Sequence, residues 1–172
     1  MAAVEIRPVC PEDDRLAISH VYEASWRHAY RGIIPQSYLD ALPRGRWAGL
    51  PDLEGHHSLV ALDGERIVGT ACYCPARMEQ WSGWGEIVSL YLLPTHMGKG
   101  YGRALLATAV AALHALGYHS IFLWVLEDNH PARGFYQHMG FQPTGRHRDE
   151  TVGGARLRNL QYRLTAPPTT LS

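Results

Sequence analysis

The segment from Leu90 to Leu116 restricts the fold more than any other part of the chain. An apolar run, Leu90-Tyr91-Leu92-Leu93, stops at Pro94, and glycines then alternate at Gly98, Gly100 and Gly102. A helical pattern follows at once, with Leu105, Ala109, Leu113 and Leu116 on one face and Gly117 as its stop. Alternating glycines let successive N–H groups turn toward one point without Cβ obstruction. That point lies at the positive end of a helix, so the turn is a seat for a phosphate or pyrophosphate. The two commonest phosphate loops do not fit. Arg103 stands where a dinucleotide fingerprint starting at Gly98 requires glycine. Lys99 is followed by Gly100 rather than Ser or Thr, which excludes the nucleoside-triphosphate loop.

The rest of the chain supplies a sheet around this turn. Val4 to Arg7 reads as a strand ended by Pro8, and the acidic run Pro11 to Asp14 starts a helix with Leu16, Val21, Tyr22 and Trp26 near one face. Pro35 to Leu42 reads as a short second helix. Ser58–Leu62 and Arg66–Cys72 flank Asp63-Gly64-Glu65 as a hairpin. Glu86 to Leu93 is the strand that enters the glycine turn, and residues 100 to 116 form the main helix. Ile121 to Leu126 is continuously apolar, as for a central strand covered on both faces. Asn129 to Met139 is a helix with a capping residue at its start, and two last strands flank Gly153-Gly154. The spacing predicts one domain over residues 1–165 and a frayed tail over 166–172.

Bulk properties narrow the function. A chain of 172 residues with 46% hydrophobic content can bury a full core. Lys plus Arg and Asp plus Glu are both 16, so there is no electrostatic footprint for nucleic acid. No apolar stretch approaches membrane-spanning length, and residues 1–5 lack the basic start of a signal peptide. Three cysteines, an odd number, fit a reducing cytoplasm. Cys72 and Cys74 lie two apart on a strand and so face one way, as core or pocket lining. The ten histidines form no ligand pattern, and no metal is expected.

Two separated blocks carry a family resemblance. Met97-Gly98-Lys99-Gly100-Tyr101-Gly102 resembles the Gln/Arg-x-x-Gly-x-Gly/Ala signature of the GNAT superfamily of acetyl-CoA-dependent N-acetyltransferases, with Met97 where that family has Gln or Arg. Asn129 to Phe141 resembles its Asn-x-x-Ala-x-x-Phe-Tyr-x-x-x-Gly-Phe motif. The element order also matches. The resemblance implies an α/β (α+β) GNAT fold: a single mixed, mostly antiparallel, twisted sheet of about seven strands, helices on both faces, and a splay between the central strands. It implies acetyl transfer from acetyl-CoA, as cosubstrate, to a primary amine within a ternary complex. Another acyl-CoA donor, or a CoA-binding sensor without turnover, remains an alternative.

Roles follow residue by residue. The backbone of Leu90, Tyr91 and Leu92 would pair with the pantetheine arm, and the amides from Met97 through Gly98, Lys99, Gly100, Tyr101 and Gly102 to Arg103 would take the pyrophosphate. Asn129 would cap its helix, contact the cofactor, or both. Tyr136 is either a core aromatic or the general acid; a phenol near ~10 can protonate a thiolate near ~8.5 without a large shift. An amine arrives as ammonium and needs a proton acceptor. Glu86 is the candidate base. Strict alternation puts it beside Val88, Leu90 and Leu92, an apolar setting that would raise its pKa; the other reading is a solvated edge residue. Trp26, Tyr30, Tyr38, Trp81 and Trp84 fall in the segments that cover the amine acceptor in relatives, and Trp26, Tyr30, Trp84 and Glu86 are the candidates to bind it. Trp81 and Trp84 read as loop residues, where they either close a pocket or serve an interface, for which a homodimer is the candidate. The expected partner is a small-molecule or peptide amine.

Overall fold

A computed structural model of the chain describes residues 4–165, so the expected tail at 166–172 lies outside the described residues. The elements follow the expected order: β1 (Glu5–Pro8), α1 (Arg15–Ala29), α2 (Gln36–Asp40), β2 (His57–Asp63), β3 (Arg66–Pro75), β4 (Gly85–Leu92), α3 (Tyr101–Ala115), β5 (Ile121–Leu126), α4 (His130–His138), β6 (Phe141–Val152) and β7 (Ala155–Leu164). One seven-stranded sheet runs β1-β2-β3-β4-β5-β7-β6. Every pair is antiparallel except β4 with β5.

Local chemistry explains the element ends. Asp14 caps α1, its Oδ1 accepting from the amides of Leu16 at 2.9 Å and Ala17 at 3.3 Å. Next to it Asp13 takes both arms of the Arg7 guanidinium at 2.7 Å, which ties β1 to the start of α1. That fork holds the Asp13 carboxyl well below the usual carboxylate range. Asn129 caps α4, accepting from the Ala132 amide at 3.3 Å. Gly134, inside α4, costs roughly 1 kcal/mol against Ala, and nothing in the structure explains it: a Cβ there would meet open space.

Two features of β4 position everything that follows. It pairs with β5 only through Gly85↔Ile121, Glu86↔Phe122 and Ile87↔Leu123, so the two strands part after Ile87 and leave the β5-facing edge of residues 88–92 free. This is the expected splay. Against β3, the partner of Cys72 is Ser89 while that of Tyr73 is Ile87, so Val88 is an extra residue, a β-bulge. The bulge resets the alternation. Ile87, Leu90 and Leu92 share one face with the main core, where α3 packs through Leu105, Leu106, Ala109 and Leu113. Glu86, Ser89 and Tyr91 share the other face, opposite Cys74, Cys72 and Thr70. The expected row of Glu86 with Val88, Leu90 and Leu92 is therefore corrected: one inserted residue moves Glu86 to the α1 side.

The α1 side is covered unevenly. Helix α1 packs on β3 and β4, with Tyr22 Oη at 2.8 Å from Ser89 Oγ. Over β5, β7 and β6 the cover is not a helix but the connection between β3 and β4. Its Trp81 ring lies 5.7 Å from Phe122, and Trp84 lies 5.9 Å from the same ring. Neither loop tryptophan is a free surface residue. Trp81 sits on a 3₁₀ turn and is 8% exposed, and Trp84 is half-buried.

Candidate active site

The glycine turn is made almost entirely of backbone. A 3₁₀ turn at Pro94–His96 ends β4, and His96 Nε2 meets Asp63 Oδ2 at 2.9 Å, fixing the turn to the β2–β3 hairpin. Gly98 and Gly100 then take φ of +73° and +90°, values that L side chains rarely adopt. A Cβ at either would meet nothing within 4 Å, so both face open space. Among the described residues the amides of Gly98, Lys99 and Gly100 have no backbone acceptor outside regular structure, and the first turn of α3 adds its own free N–H groups. The α3 cap is Gly100, with no side chain to satisfy them. Gly102 packs close to Leu92 and Phe135, which brings α3 and α4 together beneath the splay. Met97, Lys99 and Arg103 are exposed at the rim, and Tyr101 is partly buried.

Three phenols gather on the open side of β4. Tyr30 Oη and Tyr91 Oη are 3.1 Å apart, and Tyr91 lies 5.0 Å from the Tyr22 ring. Tyr136 reaches this group from α4 and is 9% exposed. Burial, and then the neighbouring Tyr91, push the Tyr136 phenol well above its ordinary value. The expectation of an unshifted phenol is corrected: this hydroxyl holds its proton throughout the neutral range. Trp26 packs against Tyr30 and Trp47 at 5.0 Å in each case. Tyr38 closes the wall from α2, where it abuts Gly153 of the β6–β7 turn.

Glu86 is 1% exposed, which removes the solvated-edge reading. It is not isolated, however. Arg77, nine residues earlier on the β3–β4 connection, donates to it from Nη2 at 2.5 Å, Nε at 3.1 Å and its own amide at 3.1 Å. The Arg77 side chain is 41% exposed, so the pair has one fixed member and one that can swing outward. Sequence reading missed Arg77, and no local signal marks it; only the folding-back of the connection brings it to Glu86. Cys72 and Cys74 lie on the same face. Burial pushes their thiols up to about 11 and about 12, so both stay protonated at neutral pH and line the site as inert groups.

The site residues therefore form two groups. Tyr30 and Tyr91 meet at the splay, flanked by Trp26, and Tyr136 packs against Phe135 and Phe141 close enough to feel Tyr91. Trp84 lies apart, with Trp81 and Phe122 and under the Arg163 guanidinium at 4.8 Å. Of the two acids on β6, Asp149 is taken up by Arg156 and Arg158, whose hydrogen bonds hold it below its ordinary value. Glu150 accepts from Asn159 Nδ2 at 2.8 Å. Among the described residues no three His, Cys, Asp or Glu side chains gather as a metal site, and no helix is long and apolar enough to cross a membrane.

Comparison with known proteins agrees with this geometry. The profile of the acetyltransferase (GNAT) family matches residues 18–141. An uncharacterized N-acetyltransferase of Bacillus subtilis, YuaI, is 35% identical over 154 residues, 86% of each chain. A mycothiol acetyltransferase of Pseudarthrobacter chlorophenolicus is 30% identical over 143 residues; the match takes in 80% of this chain but 42% of that one. Among solved structures, the PaiA N-acetyltransferase of Thermoplasma acidophilum, in complex with coenzyme A, superposes with a TM-score of 0.69 at 21% identity, over 93% of this chain and 98% of the other.

Proposed function

The chain belongs to the acetyltransferase (GNAT) family, and on that premise we propose that it transfers an acetyl group from acetyl-CoA to a primary amine by direct attack in a ternary complex. The observation that carries this is the free backbone around the splay. The amides of Gly98, Lys99 and Gly100 lack partners in front of open space, at the head of α3, beside a β4 edge that β5 has left. Such a cradle fits a pyrophosphate and an extended amide-bearing arm, the two polar parts of a CoA molecule. PaiA, of similar fold, holds coenzyme A in its crystal.

Acetyl-CoA supplies the acetyl group as a thioester. The backbone of Leu90, Tyr91 and Leu92 lines the pantetheine arm, with the groups of Leu90 and Leu92 on the free edge, and the Leu92 N–H stabilises charge on the thioester oxygen. Met97 to Arg103 take the pyrophosphate, and Asn129 borders the arm while capping α4. Glu86 takes the proton of the attacking amine. The new C–N bond forms as the C–S bond breaks, and Tyr136 donates its proton to the departing sulfur. A raised phenol is a weaker donor to a thiolate in water. In this pocket the thiolate is desolvated too, and the upward-shifted thiols of Cys72 and Cys74 show how strongly the interior disfavours that charge. Burial therefore shifts donor and acceptor in the same direction.

Trp26, Tyr30 and Trp84 border the acceptor, which we place among small-molecule or peptide amines in the cytoplasm, with neither nucleic acid nor membrane as partner. Buried Glu86 and Tyr136 argue for turnover over a sensor that only binds CoA. Calorimetry with acetyl-CoA, followed by thioester cleavage over an amine library, tests the reading. Saturable binding and amine-dependent release of thiol are expected. Absence of binding at millimolar acetyl-CoA overturns it, and faster cleavage of a longer acyl-CoA revises the donor.

A further inference from the structure

A polar layer beneath the β3–β4 connection takes no part in the steps above. Four donors there are buried without a partner among the described residues: Trp81 Nε1, Trp124 Nε1, Arg148 Nε and Gln161 Nε2. A buried donor without a partner is costly, and these four contain no acceptor between them. Three are contiguous. Trp124 opposes Gln161 in the β5–β7 register, and Arg148 opposes Asn159, two residues from Gln161 on the same face. The Arg148 guanidinium stacks 4.8 Å above the Trp124 ring, with Nη1 against Met78 Sδ at 3.8 Å.

Gln161 is held by Thr144. The Thr144 hydroxyl accepts from the Arg146 amide at 3.2 Å and donates to Gln161 Oε1 at 2.8 Å, which leaves the NH₂ group free in a side chain 1% exposed. No carboxylate pairs with Arg148 among the described residues. Asp149 is engaged by Arg156 and Arg158, and Glu150 by Asn159. A guanidinium N–H, an indole N–H and an amide NH₂ over three adjacent strands match the lone pairs of a carboxylate.

We propose that this layer seats an anionic group of the acceptor, so that the acceptor is an amine that also carries a carboxylate. The inference rests on the transferase reading and narrows it. Phe122 pairs with Glu86 across β4 and β5, and Trp124 lies two residues further on. Strand spacing and rise put the Glu86 and Trp124 backbones about 8 Å apart. One molecule can thus hold its amine at Glu86 and its carboxylate at Arg148, with Arg77 turning outward as the ammonium arrives.

The test needs no acetyl-CoA at its first stage. Tryptophan fluorescence of the full chain is titrated with ω-amino acids from glycine to 6-aminohexanoate and with their carboxamides. The carboxylate of at least one pair is expected to bind tenfold or more tighter than its carboxamide. Arg148→Met should erase that preference, Arg148→Lys should keep part of it, and Gln161→Glu should reverse it. Arg146→Met, which alters only the cation over Trp81, should leave it unchanged. Melting temperatures identify any variant that fails to fold, and kcat/KM with acetyl-CoA should show the same order. Equal binding of every pair, as when water alone satisfies the layer, overturns the inference. So does a preference that survives Arg148→Met. Failure of acetyl-CoA to bind in calorimetry strikes the transferase reading instead, since the fluorescence comparison does not involve it.

Discussion

The glycine turn and the floor around Glu86 lie at the two ends of β4, roughly 20 Å apart along the strand, and they are built from different material. At the turn the working groups are main-chain amides, and side chains mostly keep out of the way: Gly98 and Gly100 face open space, and Met97, Lys99 and Arg103 sit at the rim. At the floor the polar groups are side chains drawn from distant segments: Glu86 from β4, Arg77 from the connection, Trp124 from β5, Arg148 from β6 and Gln161 from β7. A backbone site tolerates most substitutions except those that add bulk at a glycine. A side-chain site is lost by removing one functional group. The first kind suits a cosubstrate of fixed chemistry, and the second suits an acceptor that selects one enzyme from another.

The contrast is sharpest at Glu86. Glu86→Gln keeps the shape and removes proton acceptance, so turnover should fall by roughly 10²–10⁴-fold with little change in acetyl-CoA affinity. The loss should shrink at high pH, where the amine deprotonates unaided. A pH–rate curve overlaying the wild type would pass the role to Glu150 or an ordered water. Tyr136→Phe should lower turnover by a similar factor while leaving acetyl-CoA binding within a few-fold. Unchanged turnover would return Tyr136 to a packing role.

Arg77→Met leaves the buried Glu86 carboxylate without its cation. The cost should reach up to about 3 kcal/mol, the lower end for breaking a buried pair, because Arg77 itself is partly exposed. Chemical denaturation measures it, and an unchanged midpoint would mean that water replaces the guanidinium. Gly100→Val tests the backbone end. A β-branched residue at φ +90° is strained and its side chain points into the cradle, so KM for acetyl-CoA should rise by about 100-fold, with the core unaffected.

Two smaller effects complete the series. At Gly153, φ is +58° and an added Cβ would stand 2.7 Å from Tyr38 Cβ. Gly153→Ala should therefore destabilise the wall between α2 and the β6–β7 turn by about 1–2 kcal/mol and raise the acceptor KM ahead of that for acetyl-CoA. Lys99→Ala removes one exposed cation near the pyrophosphate seat. Its effect on acetyl-CoA affinity should be a few-fold and vanish in high salt. A larger effect would mean that the turn relies on its side chains after all.

The eleven helices and strands and the glycine turn were legible in the sequence because each rests on local chemistry, whereas the splay was expected only from the family resemblance. Periodicity sets the face of α3, Asp14 and Asn129 mark helix starts, and positive φ at Gly98 and Gly100 follows from residues that can adopt it. Glu86 and Tyr136 were reachable as candidates through the family resemblance, Tyr136 from the Asn129–Phe141 block and Glu86 from its place on the strand before the glycine turn. Their surroundings were not. The bulge at Val88 turns Glu86 to the opposite face, and its one trace in the sequence is the adjacent apolar pair Ile87-Val88 between Glu86 and Ser89. Arg77 meets Glu86, and Arg148 and Gln161 meet Trp124, only because the sheet order β4-β5-β7-β6 and the folded-back connection bring them together. The sequence by itself determined where a backbone could cradle an anion, since that depends on neighbouring residues. Only the tertiary structure decided which charges are buried, which are paired and which donors stand empty, because those depend on residues that distance along the chain keeps apart.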